Sequence, residues 1–182
     1  EFTIWMNLLD KVKNSYLILL VKDEIIKKNL IKEIINHNQD PNRVKFLNFI
    51  NNDEHLARHQ LIDLYLDTFN YNGHTSSVDS LYSGVPVLSK IGNSFSSRVC
   101  ASVLEAVNMP QLIVNNDKQY FDLAFKIATN KDKHNKLKLE LKNNLKISTL
   151  FNTKQYVKNL EIGYEIAFKN KVNKDIVDYI EV

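Results

Sequence analysis

Hydrophobic positions in the first part of the chain follow two different spacings. Within residues 3–13 the apolar residues recur at helical spacing, and residues 15–21 then form an almost unbroken apolar run, Ser-Tyr-Leu-Ile-Leu-Leu-Val. A strand without polar alternation is typical of a parallel sheet that is covered on both faces. The pattern therefore predicts a helix followed by a buried strand over Ser15–Val21.

Apolar runs typical of strands and apolar residues at helical spacing continue to alternate towards the C-terminus. Further strands are predicted at residues 43–47, 61–66, 85–89 and 111–114. Helices are predicted at residues 24–37, 53–60, 75–83, 96–107, 117–129, 132–146 and 153–170. Strands that alternate with helices predict an α/β, Rossmann-like fold with a doubly wound parallel sheet, here followed by long C-terminal helices.

Length, composition and charge narrow the class of protein. The 182 residues, 44% of them hydrophobic and 25% charged, fit one soluble lobe, which we assign to residues 1–170 with a polar tail at 171–182. The net charge of +3 is spread along the chain, so we expect no nucleic-acid partner. The longest apolar run is too short for a membrane span. We expect no membrane association and a cytoplasmic protein, also nuclear if the source is eukaryotic.

The start of the chain indicates a piece of a longer protein. It begins inside a helical pattern, without Met and without the basic and apolar segments of a signal peptide. Its single cysteine, Cys100, excludes an internal disulfide and a multi-cysteine metal site. Cys100 lies in an apolar helical stretch, so we expect it to be buried.

The candidate chemistry lies in the loop that joins the third strand to its helix, residues 68–79. Ligands of parallel sheets bind beyond the carboxyl ends of the strands, where helix N-termini attract phosphates. Gly73 permits a tight turn or a close approach by a ligand. Thr75 and Ser76 bring hydroxyl groups to the helix start, and Asp79 lies one turn further on the same face, where it could accept hydrogen bonds from sugar hydroxyls.

One other interpretation of this loop is open on the residues alone. Thr and Ser are common helix caps, so the segment could be an ordinary N-cap without a ligand. Neither a G-x-G-x-x-G fingerprint nor a P-loop is present to decide the matter.

A longer segment resembles a known family. Asp79 is followed by four residues and then Gly84-Val85-Pro86-Val87, which looks like the nucleotide-sugar signature of two-lobed, Rossmann-type (GT-B) glycosyltransferases. Four further segments, in the same order and at similar spacing, resemble the protein O-GlcNAc transferases. They are Asp53-Glu54-His55-Leu56-Ala57-Arg58, Leu66-Asp67-Thr68 with Asn72-Gly73-His74-Thr75-Ser76, Ser97-Arg98-Val99 with Ala101-Ser102, and Leu150-Phe151-Asn152-Thr153-Lys154-Gln155-Tyr156.

The resemblance implies binding roles for six residues towards UDP. The uracil would contact His55 and Arg58, the ribose would bind Asp79, and the diphosphate would be held by His74, Thr75 and Ser76. His55 and Arg58 are three residues apart and so share one helix face, where an imidazole and a guanidinium can contact a flat base.

The resemblance also implies the reaction and its participants. It is a metal-independent, inverting transfer of N-acetylglucosamine from UDP-GlcNAc to Ser or Thr hydroxyls of proteins, without a cofactor. An N-terminal catalytic lobe and tetratricopeptide repeats would lie upstream of this chain, which would be inactive alone. Asn52 stands where the family often has a basic residue near the phosphates, and we assign no general base in these residues.

Two alternatives to this function stay open. A SPINDLY-type protein O-fucosyltransferase would use GDP-fucose, although its helix start tends to lack the Gly-His-Thr order that this chain keeps. A nucleotide-binding scaffold that has lost catalysis would tolerate the missing basic residue at Asn52.

The remaining candidate residues favour structural roles. His59 and His134 have no neighbours at metal-ligand spacing and are predicted on the surface, and His37 is predicted at a helix end. Arg98 opens a helix, where a cation opposes the helix dipole, so we expect it to have a partner.

Overall fold

The fold was obtained as a computed structural model that describes residues 1–173 and 179–181. Its helices are α1 (Phe2–Lys11), α2 (Glu24–Asn36), α3 (Asn52–Arg58), α4 (Thr75–Tyr82), α5 (Val99–Ala106), α6 (Asp117–Thr129), α7 (Lys131–Asn144) and α8 (Thr153–Asn173). Its strands are β1 (Leu17–Leu20), β2 (Val44–Leu47), β3 (Tyr65–Leu66), β4 (Val87–Lys90) and β5 (Ile113–Val114).

All strand pairs are parallel, as the sequence predicts. β1 pairs with β2, and β4 lies between β3 and β5 in a second hydrogen-bonded group. The helices α2, α4 and α5 each connect two strands that pair in parallel, so each is a crossover connection. The predicted α/β, Rossmann-like class is therefore confirmed.

Helices cover the sheet in two layers with separate apolar cores. One core joins α1, α6 and the sheet, and includes Trp5, Met6, Leu9, Leu88 and Tyr120. The other lies under α4, α5 and α7, and includes Leu81, Val87, Leu104, Leu137 and Leu141. These two layers fix the carboxyl edge of β3 and β4, where the candidate loop begins.

Three strand predictions require correction. The strand predicted at residues 111–114 is reduced to Ile113–Val114, because Pro110–Leu112 forms a 3-10 turn. The strand predicted at residues 61–66 is reduced to Tyr65–Leu66, because His59–Leu61 forms a 3-10 turn closed by the Ile62 N–H donating to the His59 carbonyl. β1 is not covered on both faces within the described chain, since Ile18 is 36% and Leu20 44% exposed. An apolar run in the sequence does not show whether other elements cover both faces of the strand.

α8 extends three residues into the segment predicted as a tail, to Asn173, and none of its residues is buried. The tail residues 174–178 and 182 lie outside the described residues. Among the helices of the described ranges, none is long and apolar enough to cross a bilayer.

Candidate functional site

Asp67 organises the loop between β3 and α4. Its buried carboxylate accepts hydrogen bonds from the Gly73 N–H at 2.6 Å and from the Ser89 hydroxyl at 2.5 Å. Tyr120 donates to the Asp67 carbonyl at 2.9 Å. Burial raises the pKa of Asp67, and the hydrogen bonds from Gly73 and Ser89 oppose that rise. The carboxylate is thus committed to loop structure.

Asn72 ties the same loop to the segment that precedes α5. Its N–H donates to the Ser96 carbonyl at 2.9 Å, and its side-chain amide donates to the Thr68 carbonyl at 2.7 Å. Its side-chain oxygen accepts from the Cys100 N–H at 3.4 Å. Cys100 is buried, as predicted, and burial raises the pKa of its thiol to about 12, so this group is a poor nucleophile.

The start of α4 presents unpaired backbone donors. His74 is the N-cap residue and supplies no side-chain cap, and the first N–H to pair inside the helix is that of Val78, with the His74 carbonyl at 3.2 Å. The N–H groups of Thr75, Ser76 and Ser77 have no acceptor in the described chain. The interpretation as an ordinary Ser or Thr cap is therefore wrong, and the helix start has the donors and dipole that bind an anion.

Gly73 is required for packing rather than for an unusual backbone angle. A Cβ atom at residue 73 would lie 2.6 Å from the Tyr65 hydroxyl and 2.8 Å from the Ser76 hydroxyl. A side chain at residue 73 would therefore collide with protein atoms, so Gly73 is needed for the close packing of Tyr65 and Ser76.

His74 lies between two exposed aromatic rings. Tyr71 stacks on its imidazole at 4.7 Å between centroids, and Phe95 meets it edge-on at 6.4 Å. Tyr71 is 67% and Phe95 83% exposed. The Nε2 atom of His74 is enclosed and has no hydrogen-bond partner among the residues described. A buried polar atom without a partner is unfavourable, so a ligand that hydrogen-bonds to His74 Nε2 would remove this cost.

A second cluster joins α3 to α4. Nε2 of His55 lies 3.6 Å from an Asp79 carboxylate oxygen, and Arg58 Nη2 lies 2.5 Å from His55 Nδ1. A guanidinium only donates, so Nδ1 accepts and the neutral imidazole carries its hydrogen on Nε2, facing Asp79. Burial lowers the pKa of His55, Arg58 and His59 lower it further, and Asp79 opposes them.

His59 belongs to this cluster, which corrects the prediction that it lies on the surface. It is 3% exposed, and its ring packs edge-on against that of His55 at 4.7 Å. Its Nδ1 donates to the His55 carbonyl at 2.7 Å. Burial of His59 arises from the 3-10 turn after α3, which the apolar pattern did not indicate.

The six predicted residues thus occupy one edge of the molecule. α4 carries Thr75, Ser76 and Asp79, and the His55–Asp79 contact brings α3 beside it. His74 precedes α4 directly. The Thr75 hydroxyl is exposed and has no protein partner in the described part of the chain.

Three aromatic residues at this site were missed by the sequence reasoning. They are Tyr65, which contacts Ser76, and the two rings beside His74. The sequence offered one signal for Tyr71, namely its position in the Gly-containing loop of the candidate site.

A polar cleft of about 440 Å³ adjoins the loop at the carboxyl ends of β4 and β5. Its wall includes Asn70, Lys90 and Asn115 but none of the six predicted residues. Lys90 is held in place there, 3.8 Å above the Phe69 ring and 2.6 Å from an Asp117 carboxylate oxygen.

The other singled-out residues have structural partners. His37 caps α2 and contacts the Glu33 carbonyl at 2.8 Å, and His134 contacts the Asp63 carbonyl at 2.9 Å. Arg98 donates to the Gly92 carbonyl at 3.1 Å, so its partner is the backbone. No group of three or more potential metal ligands occurs within residues 1–173 and 179–181.

The architecture is that of a Rossmann-like glycosyltransferase lobe. A solved structure of a Thermobaculum terrenum O-GlcNAc transferase variant superposes on 96% of this chain and 34% of its own, with a TM-score of 0.86 and 21% sequence identity. The sequence profile of glycosyl transferase family 41 matches residues 1–160, and this chain belongs to that family.

Relatives named as UDP-N-acetylglucosamine–peptide N-acetylglucosaminyltransferases resemble most of the chain. The Caenorhabditis elegans protein is 32% identical over 158 residues, and a protein named as a probable enzyme of this kind, SEC of Arabidopsis thaliana, is 33% identical over 161 residues. The SPINDLY protein of Petunia hybrida, which is also named as a probable enzyme of this kind, is 28% identical over 177 residues. The chain covers 14%, 16% and 19% of these three relatives, so it corresponds to a small part of their length.

Proposed function

We propose that this chain is the nucleotide-sugar-binding lobe of an enzyme that transfers N-acetylglucosamine from UDP-GlcNAc to Ser or Thr hydroxyls of proteins. The observation that carries the proposal is the start of α4, where unpaired N–H groups adjoin the His55–Asp79 contact. An anion-binding helix start and a carboxylate one turn further suit a diphosphate joined to a ribose. The names of the family relatives support the choice of UDP-GlcNAc.

In this proposal the six residues contact different parts of UDP. His55 and Arg58 contact the uracil and Asp79 accepts hydrogen bonds from the ribose. The first turn of α4, with His74, Thr75 and Ser76, binds the diphosphate. The Asp79 carboxylate lies 3.6 Å from His55 Nε2, which is longer than a hydrogen bond. Asp79 can therefore accept hydrogen bonds from the ribose without a large movement.

The catalytic contribution of this lobe would be stabilisation of the leaving UDP. Helix-start N–H groups and hydroxyls are fixed in place before the reaction, so they stabilise developing diphosphate charge without reorganisation. We propose that no metal is required and that the general base, the acceptor protein and the other half of the cleft are supplied from outside residues 1–182.

Calorimetric titration of the full-length protein with UDP tests this proposal. We expect UDP binding that EDTA leaves unchanged and that Asp79→Asn weakens by about tenfold or more, the loss expected for a hydrogen bond to a charged group. Asp63→Asn is the matched control, since that exposed carboxylate has no side-chain partner in the described chain. Equal affinity in Asp79→Asn and Asp63→Asn would refute the assigned site.

A second candidate function is transfer of fucose from GDP-fucose, the alternative that the resemblance of the sequence leaves open. The relatives named SPINDLY, at 27–29% identity, are themselves named as probable UDP-N-acetylglucosamine–peptide N-acetylglucosaminyltransferases, so their names do not favour it. GDP binding in the same titration, with UDP silent, would select this alternative. UDP binding without any sugar transfer by the full-length protein would instead identify a nucleotide-binding scaffold.

A further inference from the structure

Tyr65 and Ser76 form a hydroxyl pair beneath the start of α4. The Tyr65 hydroxyl lies 3.0 Å from Ser76 Oγ, and each side chain is partly buried. Tyr65 opens β3 and Ser76 is the second residue of α4, so the pair connects the sheet to the first helical turn. The relevant question is which of the two hydroxyls donates.

Neighbouring serines indicate that the Ser76 hydrogen is not used within the helix. Ser77 donates to the Gly73 and His74 carbonyls, and Ser80 donates to the Ser76 carbonyl at 2.8 Å. These are the usual bonds of a helical serine to the preceding turn. Ser76 makes no such bond, and Tyr65 is the one partner of its hydroxyl within the described residues.

The chemistry of the two hydroxyls favours Tyr65 as the donor. A phenol is more acidic than an aliphatic alcohol and is the stronger donor. Burial raises the pKa of Tyr65, so the phenol keeps its proton at neutral pH. Ser76 Oγ is also the sole acceptor in reach of the Tyr65 hydroxyl in the part of the chain that the structure describes.

We propose that Tyr65 is a positioning residue for the diphosphate, which donates to Ser76 Oγ and thereby leaves the Ser76 hydrogen free to point out of the helix start towards a phosphate oxygen. The inference rests on the proposed function. Two hydrogen bonds in series polarise one another, so the Ser76 hydroxyl becomes a better donor to an anion than it would be alone. Gly73 leaves room for this pair, because a side chain there would collide with both hydroxyls.

The test compares binding of UDP with binding of uridine, which lacks the phosphates, in the full-length protein. Tyr65→Phe should weaken UDP binding by about three- to tenfold, the effect of one hydrogen bond, and leave uridine binding unchanged. In a Ser76→Ala background, Tyr65→Phe should have no further effect on UDP. Tyr82→Phe is the matched control, because it removes a phenol hydroxyl at the other end of α4 that has no partner among the described residues.

The direction of the effect separates the possible outcomes. If Ser76 donated to Tyr65 instead, Tyr65→Phe would release the Ser76 hydrogen and leave UDP binding unchanged or tighter, which overturns the proposal. Equal weakening for UDP and uridine would indicate a merely structural role and also overturn it. Absence of UDP binding in the unaltered protein would reject the proposed function itself, and this inference with it.

A second substitution keeps the test decisive if Tyr65→Phe unfolds the protein. Incorporation of 3-fluorotyrosine at residue 65 preserves the shape of the ring and makes its phenol a stronger donor. UDP binding should then tighten relative to uridine binding, and weakening would contradict the proposed direction of the hydrogen bond.

Discussion

His55 lies among three groups that hold its ring in one orientation. Arg58 contacts Nδ1, His59 packs edge-on against the ring, and Asp79 faces Nε2. The two cationic or ionisable neighbours and the partial burial all disfavour protonation, whereas Asp79 favours it. The neutral ring, with hydrogen on Nε2, is the form expected at neutral pH.

Titration of His55 followed by NMR should give a midpoint below 6.5, the ordinary value for histidine. Arg58→Gln should raise this midpoint, because it removes a positive charge that opposes protonation. Asp79→Asn should lower it, because it removes the negative charge that favours the imidazolium. A shift of the same sign in both variants would contradict the assigned cluster.

At the scale of elements, the first turn of α4 depends on what lies beneath it. Asp67 fixes the Gly73 N–H, and the Tyr65–Ser76 pair fills the space next to Gly73. The helix ends at Tyr82, and Gly84, the second residue after it, has a φ of 81°, which lies in the left-handed region that favours glycine. The two glycines therefore limit the same helix for different physical reasons.

Alanine substitutions distinguish these two reasons. Gly73→Ala should reduce UDP binding, because the new methyl group displaces the Tyr65 and Ser76 hydroxyls, and overpacking of this kind costs about 1–3 kcal/mol. Gly84→Ala meets no atom within 4 Å and should cost about 1 kcal/mol of stability through backbone strain, without change in UDP affinity. Calorimetry and thermal unfolding of both variants measure the two effects.

The Gly73 substitution has its own internal check. Combining Gly73→Ala with Tyr65→Phe removes the hydroxyl nearest to the new methyl group, so part of the lost stability should return. A double variant as unstable as the sum of the two single variants would argue against the predicted collision.

At the scale of the whole molecule, apolar side chains are unevenly covered. The two apolar cores around β3 to β5 are buried. In contrast, one face of β1 is exposed, and no residue of α8 is buried. Exposed apolar residues of α8 include Tyr156, Tyr164 and Phe168. Because burial of apolar surface supplies most of the folding free energy, α8 contributes little to the stability of this lobe.

Removal of α8 measures that contribution. Ending the chain after Asn152 should change the thermal midpoint of the 182-residue chain by no more than a few degrees, since no described residue of the deleted helix is fully buried. As a matched comparison, Leu141→Ala in α7 should cost about 2–5 kcal/mol, because Leu141 is fully buried. A large loss of stability on truncation would show that α8 packs on the lobe.

The sequence by itself determined the order of strands and helices, the α/β class and the loop that carries the candidate site. These follow from local spacing and from residues such as Gly84, whose backbone conformation is nearly independent of distant parts of the chain. Helix bounds such as Glu24–Asn36 and Asp117–Thr129 agree with the predicted ones to within one residue.

The tertiary structure alone decided which side chains meet. The burial of His59, the enclosure of His74 by Tyr71 and Phe95, and the Tyr65–Ser76 pair depend on contacts between different elements. The open face of β1 likewise depends on which layers are present. Spacing along the chain records which face of an element is apolar, whereas the partner of that face is set by the packing of the whole molecule.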